Sequence, residues 1–269
     1  MDGSNTRQRG TLKSPAEIAN ARVAGRLAAD VLEMVAPYVK AGVTTEELDR
    51  RCHDYIVDVQ KAIPANVDYH GYPKTICISV NHVVCHGVPS EDKSLRDGDI
   101  VNIDIGVIKD GWFGDTSRMY FVGTPGILAK RLVETTYEAM RAGLLEVRPG
   151  ATLGDIGFAI QSVAQREGFS VVKDYCGHGI GKAYHEDPQV LHYGRRGEGI
   201  RLEPGMLFTI EPMLNAGRPD TKTLRDGWTV VTRDHSLSAQ WEHMVAVTDD
   251  GFELITPWPN GTGSYLPIV

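Results

Sequence analysis

Residues 95–122 read LRDGDIVNIDIGVIKDGWFGDTSRMYFV, and this stretch decides the fold. Asp99 to Ile108 alternates polar and apolar side chains around Asp104. Lys109-Asp110-Gly111 then supplies an Asp-Gly turn signal, and Trp112 to Val122 continues as a second strand. With Asp110 and Gly111 in the turn, Asp115 falls opposite Gly106, which makes Asp104 its diagonal neighbour on one face of the hairpin. Two carboxylates brought together away from water need either a shared proton or a cation. A strand aspartate near a hairpin is ordinarily solvated, so this pair alone does not decide for metal.

The same stretch returns later in the chain. Leu95 to Asp104 (LRDGDIVNID) matches Leu202 to Glu211 (LEPGMLFTIE) at an offset of 107 residues. Lys40-Ala41-Gly42-Val43-Thr44 returns as Arg148-Pro149-Gly150-Ala151-Thr152 after 108 residues, each time before a capped helix, and His70-Gly71 matches His178-Gly179 at the same offset. The order of helix, helix, histidine loop and strand predicts an α+β fold of two similar halves facing each other, each giving a histidine and a carboxylate. Such an interface is a favoured place for a site, because strands from both halves aim side chains into one cleft.

Ahead of the first half, Ser14-Pro15-Ala16-Glu17 reads as a capping box. A helical stripe of Ile18, Ala21, Ala24, Ala28, Val31 and Val35 follows, with Gly42 ending the helix. Thr44-Thr45-Glu46-Glu47 caps a second helix running to about Val59. Residues 1–13 are expected to be a flexible N-terminal segment, 14–258 a single catalytic domain and 259–269 a tail. One domain also suits the 269 residues, 42% hydrophobic and 23% charged.

The formal charge of -7 argues against sequence-independent nucleic-acid binding, which needs a basic surface. No stretch approaches the roughly 20 apolar residues of a membrane span, and residues 1–20 lack the apolar centre of a secretory signal. The four cysteines are neither dense nor paired in sequence, as suits reduced thiols, so the expectation is a cytoplasmic protein. Nothing such as a heptad repeat argues for an assembly, and a monomer is expected.

Two further carboxylates are unusual. Phe208-Thr209-Ile210-Glu211 and Gln240-Trp241-Glu242-His243 each set a glutamate within a strand-like apolar run. Alone, each would face water. Together with Asp104, Asp115 and the glycine-flanked His178, they supply the oxygen and imidazole ligands of a divalent metal pair. Five such ligands exceed what one catalytic zinc with an open position takes, whereas bridging carboxylates suit paired ions.

The segments YHGYPKTICIS, VVCHGVP, VNIDIGVIKDGWFGDTS, YCGHGIGKAYHEDPQVLHY, MLFTIEPM and AQWEHMVAVT resemble those of type I methionine aminopeptidases, in the same order and spacing from about Ser14 to Trp258. The resemblance implies the pseudo-symmetric pita-bread fold with a central antiparallel sheet. It implies Asp104, Asp115, His178, Glu211 and Glu242 as ligands of two divalent ions (Co, Mn, Fe or Zn). Asp115 and Glu242 would bridge, Asp104 complete one site, and His178 with Glu211 complete the other. It further implies Glu211 as general base, His86 and His185 as histidines that bind substrate and stabilise its tetrahedral intermediate, and Tyr69, Tyr72, Cys77, Tyr184 and Trp228 as the methionine pocket. Tyr184 stands where relatives often carry phenylalanine, which puts a hydroxyl at the pocket rim. A monovalent cation near Asn81, Val83 and Ser238 is implied as well, held largely by backbone oxygens. The expected substrate is the N-terminal methionine of nascent polypeptides when the second residue is small. A transient ribosome partner fits that substrate, and the first 29 residues carry five basic against two acidic side chains.

Other readings fit less well. Gly177-x-Gly179-x-Gly181 lacks the context and spacing of a nucleotide loop. Cys85-His86 and Cys176-x-His178 lack the close cysteine pair of a thiolate zinc site. Proline-specific peptidases of the same fold usually carry an extra domain first, whereas only 103 residues precede Asp104, and the type II enzymes carry a long insertion where Glu211 and Glu242 are 31 apart. A non-catalytic binding protein on this fold would typically have lost ligands. His53, His82, His192, His235 and His243 are assigned no chemistry, and His70 is left undecided.

Overall fold

The computed structural model describes residues 10–258. The first half comprises helices α1 (Pro15–Val35) and α2 (Thr45–Asp54) and strands β1 (Ile63–Pro64), β2 (Cys77–Val80), β3 (Val83–Cys85), β4 (Ile100–Lys109) and β5 (Trp112–Phe121). The second comprises α3 (Ile127–Leu145), α4 (Leu153–Arg166), β6 (Ser170–Val171), β7 (Gly177–Gly179), β8 (Glu186–Val190), β9 (Leu207–Ile210), β10 (Met213–Asn215), β11 (Thr221–Thr223), β12 (Val230–Thr232), β13 (Ser238–Gln240), β14 (His243–Val247) and β15 (Phe252–Leu254). Every strand pairing is antiparallel.

The capping box at Ser14 forms as read: the Glu17 carboxylate accepts the Ser14 amide at 2.9 Å and Ser14 Oγ accepts the Glu17 amide. Inward residues Ala21, Ala24 and Ala28 are fully buried, and their small size lets α1 lie close on the β4–β5 hairpin. The helix ends at Val35, well before Gly42, and a 3₁₀ turn follows over Ala36–Tyr38. Pro37 is the physical reason, because it has no amide to continue the helical ladder. The second helix carries on past Asp54 as a π-helical turn, Tyr55–Val59.

The internal repeat is structural. Thr44 and Thr152 are the N-caps of α2 and α4, and each also bridges a later segment, Thr44 to Ser94 and Thr152 to Arg201. The amide of Gly42 donates to Leu95 O at 2.8 Å, as that of Gly150 does to Leu202 O at 3.0 Å. Register corrects one equivalence. Val80 pairs with Val101 in the first half and Gly179 with Phe208 in the second, so the counterpart of His178 is Ser79. His70 lies instead in a 3₁₀ turn, Tyr69–Gly71, with a left-handed backbone (φ 50°), and among the described residues only the second half gives a strand histidine. Asp104 and Glu211 do correspond.

Two apolar cores flank the strands. Leu32, Leu48, Ile56, Ile76, Ile103 and Ile105 fill one, and Leu132, Met140, Ile156, Ile160, Phe208 and Trp241 the other. Each fully buried side chain of this size contributes about 1.5–3 kcal/mol. Of the segment expected to be loose, residues 10–13 are described, and Lys13 is anchored at both its amide and its ammonium. Residues 1–9 and the expected tail at 259–269 lie outside the described residues. Among the described residues, no helix is long and apolar enough to cross a membrane.

Candidate active site

The hairpin register is the one read from sequence: Gly106 pairs with Asp115 and Asp104 with Ser117, so the two aspartates share a face. Strand β2 pairs Cys77 with Asp104 and brings the thiol beside that carboxylate. The glutamates differ from expectation, since neither stands within a strand. Glu211 occupies the break between β9 and β10, and Glu242 the break between β13 and β14. Before the break β9 pairs with β14; after it β10 pairs with β13, in a different sheet. Pro212 supplies no amide there, and the ladder opens where both carboxylates turn inward. Glu242 is then tied to the hairpin, its amide donating to Ser117 O at 3.1 Å and its carbonyl accepting Thr116 Oγ1 at 2.7 Å.

These elements close on one cavity of about 290 Å³, and every catalytic, methionine-pocket and divalent-metal residue expected from sequence lines it, whereas Asn81, Val83 and Ser238 do not. At its base, donor atoms of Asp115, His178 and Glu242 lie within 4.8 Å of one another. His178 Nε2 is 3.5 Å from Asp115 Oδ2 and 3.6 Å from Glu211 Oε1. Its Nδ1 is 3.0 Å from Gly179 O, and because a carbonyl only accepts, Nδ1 carries the proton and Nε2 presents a lone pair. Thr209 joins two of the groups, its hydroxyl donating to Glu211 Oε1 at 2.7 Å while accepting the His178 amide at 3.0 Å.

Electrostatics here are those of carboxylates crowded together away from water. Burial, and then the neighbouring charge of Asp115, holds Asp104, Glu211 and Glu242 well above the usual carboxylate range, and burial lifts Asp115 to about 7. Burial likewise lowers His178 to about 4, keeping it neutral. Asp104 Oδ1 is buried with no hydrogen-bond partner among the described residues. Hard oxygen donors, one unpaired, around a neutral imidazole fit divalent cations.

Two histidines stand in the same cavity. His185 accepts or donates at Nδ1 to the Tyr69 hydroxyl (2.6 Å), and burial followed by His178, His86 and His70 lowers it to about 3. His86, lowered by burial, packs edge-on to Tyr175 and Trp228. Tyr72 meets Trp228 edge to face at 5.1 Å. Tyr184 departs from expectation: its hydroxyl lies inward of the rim, 2.8 Å from Asn66 Oδ1 and 3.4 Å from Asp115 Oδ1. Gly106 makes the space, for a Cβ there would sit 2.1 Å from that oxygen.

Sequence reasoning missed Gln240, whose Nε2 donates to Glu211 Oε2 at 3.3 Å, and His192, whose Nε2 accepts the Glu211 amide at 3.1 Å. For Gln240 the adjacency to Trp241-Glu242 was the available signal; for His192 there was none. His70 does not line the cavity; its ring packs on Tyr69 at 4.4 Å.

Known proteins match this arrangement. The profile of Metallopeptidase family M24 covers residues 19–249. Methionine aminopeptidase of Escherichia coli K12 is 58% identical over 246 residues, 91% of this chain and 93% of that one. The crystal structure of methionine aminopeptidase from Rickettsia prowazekii superposes with a TM-score of 0.90 at 55% identity, over 92% of this chain and 100% of that one. Prolidase from Pyrococcus furiosus, 23% identical with a TM-score of 0.71, shares the fold, and the match spans 91% of this chain but 65% of the prolidase. The architecture is therefore the pita-bread fold.

Proposed function

The chain belongs to metallopeptidase family M24 and, within it, to the methionine aminopeptidases, and on that premise we propose that it hydrolyses the first peptide bond of newly made proteins to release the initiator methionine when the second residue is small. The observation that carries this reading is the buried cluster of four carboxylates and one neutral imidazole at the base of an aromatic cavity.

Asp104, Asp115, His178, Glu211 and Glu242 would hold two divalent ions in this proposal; Co, Mn, Fe and Zn all suit the donors. When bound, such ions lower the pKa of water and polarise a peptide carbonyl. Glu211, held at Oε1 by Thr209 and at Oε2 by Gln240, takes the proton from the attacking water and delivers it to the leaving amine nitrogen as the C–N bond breaks. His185, neutral and fixed at Nδ1 by Tyr69, uses Nε2 to hydrogen-bond the substrate, and His86 acts beside it on the tetrahedral intermediate. Tyr69, Tyr72, Cys77, Tyr184 and Trp228 exclude water from the methionine side chain. Sulfur against aromatic edges adds about 0.3–1.5 kcal/mol, so the shape of the pocket supplies the rest of the selectivity.

Residues 14–258 act as one catalytic domain. A monovalent cation near Asn81, Val83 and Ser238 finds support in Ser238 Oγ, buried without a partner among the described residues. The enzyme works in the cytoplasm as a monomer; its charge of -7 supports the lack of nucleic-acid specificity, and five basic against two acidic side chains in the first 29 residues support a transient ribosome contact.

Peptide release tests the specificity. With Mn present, Met-Ala-Ser should lose methionine while Met-Lys-Ser and Ala-Ala-Ser stay intact; equal cleavage of all three overturns the methionine pocket and the second-residue filter.

A further inference from the structure

Lys13 precedes the first helix, far in sequence from the cavity, yet its side chain is only 7% exposed and its Nζ lies 2.6 Å from Glu186 Oε2. Its backbone is fixed too, the amide donating to Gly205 O at 2.7 Å. Glu186 directly follows His185. Its other oxygen, Oε1, accepts the amides of Lys182 and Ala183, both at 3.1 Å, and so closes the turn that carries Tyr184 and His185. The pair packs against Gly181, where a Cβ would lie 2.8 Å from Glu186 Oε1 and from Lys13 Nζ and would push both side chains aside.

We infer that Lys13 is a positioning residue for the reaction: through Glu186 it fixes the turn at 181–185 and thereby sets where His185 stands over the cavity. The inference rests on the proposed role of His185. An ion pair on an exposed surface contributes little, because water competes and two long side chains lose freedom. Here both side chains are largely sheltered, and removing Lys13 takes from Glu186 Oε2 its cationic partner while Oε1 keeps only the two turn amides. Glu186 then has reason to turn toward solvent, releasing the Lys182 and Ala183 amides and with them the backbone that aims His185. Among the described residues the imidazole is hydrogen-bonded by the Tyr69 hydroxyl, whose own residue lies in a 3₁₀ turn of the other half, and its ring packs on His178 at 4.1 Å and on Tyr184, which the same turn as His185 carries, at 4.9 Å. The first residues before α1 thus act on the chemistry without touching substrate.

The test compares wild type, Lys13→Met, Lys13→Arg, Glu186→Gln, His185→Ala and the double variant Lys13→Met/His185→Ala, all with Mn and Met-Ala-Ser, with melting temperatures in parallel. Misplacing a catalytic group by a fraction of an ångström lowers kcat by about tenfold or more. The expected result for Lys13→Met and for Glu186→Gln is such a fall in kcat with KM changed by less than about twofold. Lys13→Arg should recover much of it. In the His185→Ala background, Lys13→Met should cost nothing further, since the group it positions is gone. An equal further loss in that background, or a lower melting temperature with kcat unchanged in both single variants, would overturn the inference and leave the pair a stability feature. His185→Ala alone judges the underlying reading: if it retains the wild-type kcat, the role of His185 fails, and with it what Lys13 is inferred to support.

Discussion

His178 Nε2 stands 3.5 Å from Asp115 Oδ2 with the imidazole proton committed to Gly179 O on the far side of the ring. A histidine and a carboxylate at this separation present two lone pairs to the same space, an arrangement that favours a cation over an ion pair.

This relationship makes metal and protons competitors. A carboxylate whose pKa is raised in the fold keeps a proton that the unfolded chain has released. The metal-free protein therefore loses stability as pH climbs from about 4, the unfolded carboxylate value, through the value of about 7 at Asp115. His178, lowered to about 4, is already neutral across that window. Added Mn or Co replaces the protons, so the rise in melting temperature on adding metal should grow between about pH 5 and 8. Buried His192, lowered to about 3, is likewise neutral across the window. Calorimetry at fixed metal concentration checks this; an increment that shrinks with rising pH contradicts it.

Replacing Tyr184 by phenylalanine removes the hydroxyl from Asn66 Oδ1 and Asp115 but leaves the ring in place. The loss of a donor to a buried acceptor should lower stability by about 1–3 kcal/mol. The hydroxyl lies toward the carboxylates, so the ratio of methionine to leucine release should stay as in the wild type. Denaturant melts and paired peptide assays measure the two effects separately.

His192 is buried and lowered to about 3 by that burial, and His192→Ala leaves the Glu211 amide without its acceptor. An orphaned amide costs about 1–3 kcal/mol, and the backbone of the proposed base shifts to find a partner. The expectation is a lower kcat with the metal content, read by elemental analysis, unchanged.

Thr152 caps α4 in a reciprocal box, its amide and hydroxyl both donating to the Asp155 carboxylate at 2.7 and 2.9 Å. Thr152→Ala should destabilise the protein by about 1 kcal/mol without altering kcat, as equilibrium unfolding and assay of the same preparation determine.

What was legible in the sequence was what short-range rules govern. The Asp110-Gly111 turn fixed the register that sets Asp104 and Asp115 on one face, and the caps at Ser14, Thr44 and Thr152 fixed helix starts. The first helix reads as running to Gly42 but ends at Val35, because Pro37 has no amide to continue the ladder. The His70 equivalence failed because a dipeptide match carries no register, and only strand pairing reveals that Ser79 takes the place of His178. Glu211 and Glu242 read as strand residues because the apolar runs around them are continuous, whereas the switch of sheet partner at both positions is a tertiary event. The reach of Lys13 to Glu186 spans 173 residues and leaves no mark on either local sequence.

Methionine release from Met-Ala-Ser by metal-stripped protein, followed as Mn is titrated back, tests the central claim most directly. The account predicts no release from the stripped protein, a rise to a plateau as metal returns, and no release at any metal level from Glu211→Gln. Undiminished release by the stripped protein, or a Glu211→Gln variant as active as the wild type, would contradict it.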